Sequence, residues 1–135
     1  ENNVVVLNGD TMFRTDLTEM MQFHLNSNVQ TTLALKPMKD FERYGSVHID
    51  TEMNVISFEE KQYREEGLIN GGIYIIHKPS FDQIILPEKF SFEKNYLEQH
   101  LYDVKLKGFI SDAYFIDIGI PEDYEKAQKD FLFFA

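Results

Sequence analysis

The stretch Val4–Asp10, VVVLNGD, decides the fold class of this 135-residue chain. Its four apolar residues, Val4–Leu7, predict a β-strand that is buried on both faces, as in a central strand of a sheet covered by helices. Asn8 and Gly9 end this strand in a turn and place Asp10 directly after it. If the sheet is an open α/β sheet, Asp10 lies where ligands bind, beyond the carboxyl ends of the strands.

The remaining sequence alternates predicted helices and strands, so we expect a single α/β domain over residues 1–135. Asp16 and Glu19 have the spacing of a capping box at the start of a helix. The predicted core stripe of that helix is Leu17, Met20, Met21, His24 and Leu25. Further helices are predicted at Pro79–Ile85, after Ser91 and from Pro121 onward. The other predicted strands are Val29–Pro37, Tyr44–Asp50, Val55–Lys61 (antiparallel to the one before it), Gly67–His77, Asp103–Ser111 and Ala113–Gly119.

Charge and composition exclude several classes of partner. The formal net charge is −10, from 23 acidic and 13 basic residues. Nonspecific binding to nucleic acid or to an anionic membrane needs clustered Lys and Arg, so we expect neither partner. No apolar run approaches the roughly 20 residues that span a bilayer. Cysteine is absent, which fits a reducing compartment, and we expect a cytoplasmic protein.

A second apolar strand is predicted to deliver another carboxylate. The segment Ala113–Gly119, AYFIDIG, runs into Asp117. If both strands belong to one open sheet, Asp10 and Asp117 converge beyond its carboxyl edge. Paired carboxylates without a His or Cys cluster suit a hard cation such as Mg²⁺, which takes oxygen ligands and shares its shell with substrate phosphates. The alternative is that each Asp only caps a turn, as Asp and Asn side chains often do.

Two further features are candidates for a binding site. Gly71 and Gly72 interrupt the predicted strand Gly67–His77, which indicates a bulge or a close approach by ligand or backbone. Glu60 and Lys61 end the preceding strand. Lys61 could neutralise a phosphate as a point charge, or it could be an exposed lysine in a solvated Glu-Glu-Lys run. The sequence contains no histidine zinc motif, serine-nucleophile elbow, P-loop or glycine-rich dinucleotide motif.

Four blocks of the sequence together resemble the sugar-1-phosphate nucleotidyltransferases, and they occur in that family's order. The blocks are VVVLNGDTMF, YGSVHID, FEEK followed by GLINGGIYII, and FSFEKNYL followed by FIDIGIPEDYEKA. The last block is the most specific, and the match covers nearly the whole chain. Within the family, LINGGIYII and FIDIGIPEDY look most like the bacterial D-glycero-D-manno-heptose 1-phosphate guanylyltransferases, with the mannose-1-phosphate guanylyltransferases close behind.

The resemblance implies a reaction and a metal cofactor. The reaction is NTP plus sugar 1-phosphate giving NDP-sugar plus pyrophosphate, with GTP as the expected nucleotide and a heptose or mannose 1-phosphate as the expected sugar substrate. Asp10 and Asp117 match the aspartates that hold the catalytic Mg²⁺, and Lys61 is the third expected catalytic residue. The product would be a precursor of lipopolysaccharide or capsule. With these motifs matched, metal binding is favoured over turn capping.

The resemblance also implies the residues that bind the sugar phosphate. Gly45 would lie against the sugar. Glu60 and Lys61 match the Glu-Lys pair that contacts the sugar hydroxyls and the phosphate, respectively. Asn70 and Gly72 match the N-x-G that lines the sugar pocket. We expect Lys61, Asn70 and Gly72 to face one cleft, with Gly72 leaving room for the ligand.

The chain departs from the family's pattern in two places. Gln62 replaces the proline that usually follows the Glu-Lys pair. The glycine-rich loop G-G-x-G-T-R-L, which cradles the triphosphate and reads the base, is absent from these 135 residues. We therefore expect the C-terminal portion of a Rossmann-like, glycosyltransferase-A-like nucleotidyltransferase fold, with a mixed, mostly parallel sheet flanked by helices. Its partner would be the missing N-terminal half, or a second copy paired through an exposed sheet edge.

Three functional hypotheses remain at this point. The first and favoured one is that the chain is part of a sugar nucleotidyltransferase and is inactive alone. The second is a non-catalytic module of the same descent that binds a sugar phosphate or regulates another protein. The third is a remnant that serves only protein–protein contact.

Overall fold

The computed structural model describes residues 2–103 and 105–134. The strands are β1 (Asn3–Leu7), β2 (Thr11–Phe13), β3 (Thr31–Phe41), β4 (Ser46–Ile49), β5 (Val55–Glu59), β6 (Arg64–His77), β7 (Leu106–Ile110) and β8 (Phe115–Asp117). The helices are α1 (Leu17–Ser27), α2 (Lys78–Asp82) and α3 (Pro121–Asp130), with a π-helical segment at Phe92–Glu98 and a 3-10 turn at Phe131–Phe133. Among the residues described, no helix is long and apolar enough to cross a membrane.

The main sheet is organised around β6, which has 14 residues. Strand β3 runs antiparallel along one side of β6, and β7 continues the sheet beyond β3. The other side of β6 has two different neighbours. Strand β4 pairs with it at Ile69, whereas β1 pairs with it only from Ile73 to His77. A gap at residues 70–72 therefore separates the two neighbours.

The α/β class and the mixed sheet are confirmed, but the expectation of a mostly parallel sheet is wrong. In the part of the chain described, β3 and β7 are the one parallel pair of neighbours, and the other pairings are antiparallel. Parallel neighbours need a crossover of a dozen or more residues. Strands β4 and β5 are joined by only five residues, 50–54, so this pair is antiparallel.

Strand β1 is less buried than its sequence predicts. Its apolar pattern predicts burial on both faces, yet Val5 is 41% exposed and Leu7 is 60% exposed. Among the residues described, β1 pairs with β6 and with no other strand. One edge of this apolar strand is therefore open.

Strand β3 extends further than the sequence predicts. The segment Val29–Pro37 was expected to end at its proline, but β3 continues to Phe41, with Pro37 paired to Leu68 of β6. On its other side, β3 pairs with β7 only over Thr31–Leu35. Because that side is open at Pro37, the missing N–H of the proline removes no ladder hydrogen bond from the β7 side.

Two hydrophobic clusters cover the two faces of β6. On one face, Tyr74 and Ile76 pack with Tyr96 and Leu97 of the π-helical segment. On the other face, Ile73 and Ile75 pack with Phe13, Met20 and Ala34. The predicted stripe of α1 is only partly a core stripe. Its Met20 and His24 are buried, whereas Leu17 and Leu25 are 43% and 58% exposed.

Side-chain capping contacts confirm two of the predicted helix starts. The Asp16 carboxylate accepts hydrogen bonds from the N–H groups of Thr18 and Glu19 at the start of α1. The Ser91 hydroxyl accepts one from the N–H of Lys94, although the segment that follows is π-helical rather than α-helical. Helix α3 begins at Pro121 as expected. Of the predicted strand Asp103–Ser111, Val104 lies outside the described residues.

A buried histidine ties β1 to α1 and β3. His24 is 2% exposed; its Nδ1 lies 2.7 Å from Thr32 Oγ1 and its Nε2 lies 3.1 Å from Asn3 Oδ1. Burial, with a smaller contribution from the nearby His77, lowers the pKa of His24 below its usual value. The folded chain therefore holds this imidazole neutral under conditions in which the unfolded chain protonates it.

We expect His24 to make the fold less stable in mild acid. The contribution of neutral His24 to the free energy of unfolding is complete above its pKa in the unfolded chain, about 6.5. This contribution falls as the pH drops toward the lowered pKa of the folded chain, because the unfolded state then binds more protons. The loss is at most about 1.4 kcal/mol per pH unit. Urea unfolding at pH 7.5 and 5.5 should show a larger loss in the wild type than in His24→Gln. An equal loss in both would contradict this assignment.

Candidate active site

The two predicted aspartates are brought together by a ribbon outside the main sheet. Strands β2 and β8 pair antiparallel, with Thr11 opposite Asp117. The N–H of Ile118 donates to the carbonyl oxygen of Asp10 at 2.9 Å. Convergence of Asp10 and Asp117 was predicted, but the predicted cause was wrong. Strand β8 pairs with β2 in a two-stranded ribbon, and this pairing, rather than the carboxyl edge of one sheet, brings Asp10 and Asp117 to one cavity.

Asp10 and Asp117 line one cavity of about 410 Å³, which we call the aspartate cavity. Lys61, a third residue predicted from the sequence, lines the same cavity. Arg43, Tyr44, Gly119 and Ile120 complete the lining. The cavity thus combines two carboxylates with two cationic side chains. Such a set of charges suits a divalent cation together with an anionic ligand.

Asp117 also makes the turn contact that was the alternative interpretation. Its Oδ1 accepts a hydrogen bond from the N–H of Gly119 at 2.8 Å, as in an Asx turn. This contact fixes the carboxylate and uses one of its oxygens, so turn capping and metal binding are compatible. Within residues 2–103 and 105–134, no group of three or more His, Cys, Asp and Glu side chains forms a metal cluster. Two carboxylates fit Mg²⁺, which usually keeps several waters and binds one or two carboxylates plus substrate phosphates.

Arg43 and Tyr44 are members of the site that the sequence did not predict. Arg43 donates from Nη2 to Asp123 Oδ2 at 3.1 Å, and its guanidinium lies 5.6 Å from the centre of the Tyr44 ring. The hydrogen bond to Asp123 raises the pKa of Arg43. Burial, and then the charge of Asp117, raise the pKa of Tyr44. Their position directly before Gly45 was a signal that could have identified them.

A second cavity, of about 230 Å³, contains the other predicted polar residues. We call it the glutamate cavity, because Glu59, Glu60, Glu93 and Glu98 line it. The predicted residues Gly45, Glu60, Lys61 and Asn70 are all in its lining. Lys61 lines both cavities and so connects the residues around the two aspartates with those around the glutamates.

A close backbone contact and an ion pair place Lys61 at this boundary. A Cβ atom on Gly45 would lie 2.5 Å from the carbonyl oxygen of Glu59, so only glycine allows the start of β4 to approach the end of β5 this closely. Glu59 also forms a salt bridge with Arg64 of β6. Glu60 and Lys61 follow directly after this fixed residue.

The glycine pair in β6 forms a bulge, which is one of the two predicted possibilities. The register between β3 and β6 shifts between Leu33 and Leu35, opposite residues 70–74. A Cβ on Gly71 would overlap the Phe13 ring. Gly72 has a φ of +78°. This backbone conformation favours glycine.

The surroundings of Gly72 differ from the expectation that this glycine leaves room for a ligand in the cleft. Its N–H donates to Asn70 Oδ1 at 2.8 Å, and its carbonyl oxygen accepts from the N–H of Asn8 at 2.9 Å. A Cβ at this position would lie 2.8 Å from Asn8 Nδ2 and 2.9 Å from Thr11 Oγ1. Gly72 therefore packs against the turn that presents Asp10.

We expect Gly72→Ala to destabilise the chain by about 1–2 kcal/mol or more, because a left-handed backbone penalises a Cβ and the new atom meets Asn8. The control is Gly9→Ala, since a Cβ at Gly9 meets no atom within 4 Å. Urea unfolding of both variants checks this. Equal stability of the two would show that the space and backbone angle at Gly72 are not restrictive.

Comparison with known proteins agrees with this geometry. The model of a family described as Nucleotidyl transferase matches residues 1–132. The chain is 57% identical to D-glycero-alpha-D-manno-heptose 1-phosphate guanylyltransferase of Aneurinibacillus thermoaerophilus, over 96% of this chain and 56% of the relative. It is 50% identical to the protein of the same name from Campylobacter jejuni, over 92% of this chain and 54% of the relative. The chain thus spans about half the length of these curated relatives.

Solved structures show the same similarity. The crystal structure of HddC from Yersinia pseudotuberculosis matches with a TM-score of 0.85 and 37% identity, over 97% of this chain and 56% of HddC. A second structure of HddC, complexed with GMP-PN, matches with a TM-score of 0.84. The nucleotidyltransferase fold expected from the sequence is confirmed over the matched part. On the family match along almost its whole length, and on these relatives, the chain belongs to the nucleotidyl transferase family.

Proposed function

We propose that this chain supplies the metal-binding and sugar-phosphate-binding residues of a guanylyltransferase that acts on a heptose or mannose 1-phosphate. In this reaction a phosphate oxygen of the sugar 1-phosphate attacks the α-phosphorus of GTP. A new P–O bond forms, the bond between the α-phosphorus and the bridging oxygen breaks, and pyrophosphate leaves. The observation that carries the proposal is the position of Lys61, which lines both the aspartate cavity and the glutamate cavity.

The names of the relatives support this choice of substrates. Two proteins that are 57% and 50% identical to this chain are heptose 1-phosphate guanylyltransferases. HddC, which has the same fold over the matched part, has been crystallised with the nucleotide GMP-PN. A mannose-1-phosphate guanylyltransferase from Mycobacterium tuberculosis is more distant, at 29% identity. A heptose 1-phosphate is therefore our first choice of sugar substrate.

The aspartate cavity fits a bound Mg²⁺. Asp10 and Asp117 would hold the ion, and Asp117 is already oriented by its contact with Gly119. When bound, the ion supplies positive charge that stabilises the phosphates during transfer. Such a cation also explains how a chain with a net charge of −10 could accept two anionic substrates, since a local ion reverses the field of the pocket.

The side chains of the glutamate cavity suit a hydroxylated ligand that carries one phosphate. Carboxylates such as Glu60 accept hydrogen bonds from hydroxyl groups, and the Asn70 amide can both donate and accept. Lys61 lines both cavities, so its ammonium group could reach a phosphate held between them. A sugar in the glutamate cavity would therefore have its phosphate beside Lys61 and directed toward the metal. No protein nucleophile is needed, because positioning and charge stabilisation perform this chemistry.

The nucleotide would be bound mainly by a part of the enzyme that lies outside this chain. The relatives are almost twice as long as the matched segment, and these 135 residues lack the family's glycine-rich loop. The open edge of β1, with its exposed Val5 and Leu7, is the surface we assign to that part. An added strand would pair with the free backbone groups of β1 and cover its apolar side chains.

Loss of either aspartate should disable the enzyme. In the full-length gene product, we expect Asp10→Asn or Asp117→Asn to lower turnover by at least about 100-fold, the scale of losing one strong electrostatic stabiliser. Pyrophosphate release from GTP and D-glycero-α-D-manno-heptose 1-phosphate measures this. Asp82→Asn is the control, because Asp82 pairs with Lys78 on the exposed α2 helix. Near-normal turnover of either test variant at limiting Mg²⁺ would rule out the metal assignment.

Loss of Lys61 should affect one substrate more than the other. We expect Lys61→Ala to raise the KM for the sugar 1-phosphate by about 10-fold or more, since hydrogen bonds to charged groups contribute about 1.5–3 kcal/mol. The KM for GTP should change much less. Lys78→Ala, which removes an exposed lysine from α2, serves as the control. Equal rises in both KM values would contradict the placement of Lys61 at the sugar phosphate.

A further inference from the structure

A continuous chain of hydrogen bonds links the turn before Asp10 to the glutamate cavity. The N–H of Asn8 donates to the carbonyl oxygen of Gly72, and the N–H of Gly72 donates to Asn70 Oδ1. Asn70 Nδ2 then donates to the Tyr74 hydroxyl at 2.9 Å. The Tyr74 hydroxyl in turn donates to Glu93 Oε1 at 3.0 Å. Asn70 and Glu93, which both line the glutamate cavity, are therefore joined through the hydroxyl group of one buried tyrosine.

The direction of each hydrogen bond at Tyr74 follows from the partners. An amide nitrogen can only donate and a carboxylate can only accept, so the hydroxyl accepts from Asn70 and donates its single proton to Glu93. Tyr74 is fully buried. Burial, and then the charge of Glu93, raise the pKa of Tyr74 far above its usual value. The hydroxyl therefore keeps its proton for Glu93 over the whole physiological pH range.

These contacts fix the orientation of the Asn70 amide. Its oxygen faces the N–H of Gly72 and its nitrogen faces the Tyr74 hydroxyl, so a flip would place two donors together at Gly72. The second hydrogen on Nδ2 is then held in a constant direction. Glu93 is held in the same way through Oε1, with Oε2 3.5 Å from Ser91 Oγ. The Asn70 amide, a hydrogen-bond donor, and the Glu93 carboxylate, an acceptor, are therefore held in fixed positions relative to each other.

We propose that Tyr74 is a positioning residue that sets the Asn70 amide and the Glu93 carboxylate for the hydroxyl groups of the sugar in the glutamate cavity. This inference rests on the proposed function, because it assigns the sugar to that cavity. Tyr74 is buried, so it acts through Asn70 and Glu93 and does not touch the substrate. Preset partners bind a ligand more tightly, since the side chains do not have to be ordered on binding.

The test is Tyr74→Phe in the full-length gene product, which removes the hydroxyl and keeps the ring that packs 4.6 Å from Phe92. We expect the KM for heptose 1-phosphate to rise about 10-fold, with the KM for GTP and the kcat changed less than about threefold. Calorimetric titration with α-D-mannose 1-phosphate should show weaker binding and provides a readout that is independent of turnover.

Tyr96→Phe is the matched control. Tyr96 is also buried, belongs to the same hydrophobic cluster, and bonds through its hydroxyl to Thr31 Oγ1 at 2.6 Å. Tyr74→Phe loses two hydrogen bonds and Tyr96→Phe loses one, and each variant removes a single hydroxyl from the same buried cluster. Only Tyr74→Phe should change the KM for the sugar 1-phosphate, so a general loosening of the core is separated from a positioning effect.

An unchanged sugar 1-phosphate KM in Tyr74→Phe, or equal changes in both tyrosine variants, would overturn the inference. If Tyr74→Phe does not fold, Glu93→Gln is measured instead and must show the same selective rise in sugar 1-phosphate KM. An unchanged KM in Glu93→Gln would then overturn the inference. The proposed function fails separately, if the wild-type protein releases no pyrophosphate from GTP with either sugar 1-phosphate. In that case the sugar has no assigned cavity and the inference is overturned with the proposed function, whereas an active wild type with an unchanged sugar 1-phosphate KM in Tyr74→Phe overturns the inference alone.

Discussion

The arrangement of the site depends on the change of neighbour along one side of β6. Strand β4 leaves β6 at Ile69 and β1 joins it at Ile73, so the three residues between them have no strand on that side. Asn70 and the glycine pair occupy this gap. The turn that follows β1 packs there through Gly72, and the glutamate cavity opens beside Asn70. As in other α/β proteins, the position where the sheet divides is where groups for a ligand can gather.

The β2–β8 ribbon adds the second half of the site. Its pairing holds the backbone of Asp10 against Ile118, which positions two carboxylates from opposite ends of the chain in one cavity. Both carboxylates line the aspartate cavity, where positive charge would balance them. Lys61 and Arg43 provide positive charge in the same cavity, although Arg43 is already paired with Asp123. In the proposed function, a divalent ion held by Asp10 and Asp117 would supply further positive charge.

Local signals in the sequence predicted much of the fold. The caps at Asp16 and Ser91 were correct because a side chain that caps a helix acts within three residues. The β4–β5 pair was also predicted from a local signal, the alternation of apolar and polar residues on both sides of a short turn. The direction of β6 relative to β1 and β3 was missed. It depends on which strands meet across the sheet, and the order of segments alone does not determine this.

The candidate site was predicted more by resemblance than by local pattern. Asp10, Lys61 and Asn70 line the expected cavities, whereas Gly72 supports the adjoining turn instead. The roles of Arg43 and Tyr74 arise from contacts with residues far away in the sequence, at Asp123 and Glu93. Such long-range contacts leave no periodic signal, so they became visible only in the folded chain.

The most direct measurement of the central claim is the position of the metal. Crystals of the full-length gene product grown with heptose 1-phosphate and Mn²⁺ in place of Mg²⁺ would locate the ion by its anomalous scattering. The account predicts one peak within coordination distance, about 2.0–2.1 Å for a Mg²⁺ site, of carboxylate oxygens from both Asp10 and Asp117. The sugar phosphate should lie next to Lys61. A peak bound to other residues, or to neither aspartate, would contradict the account.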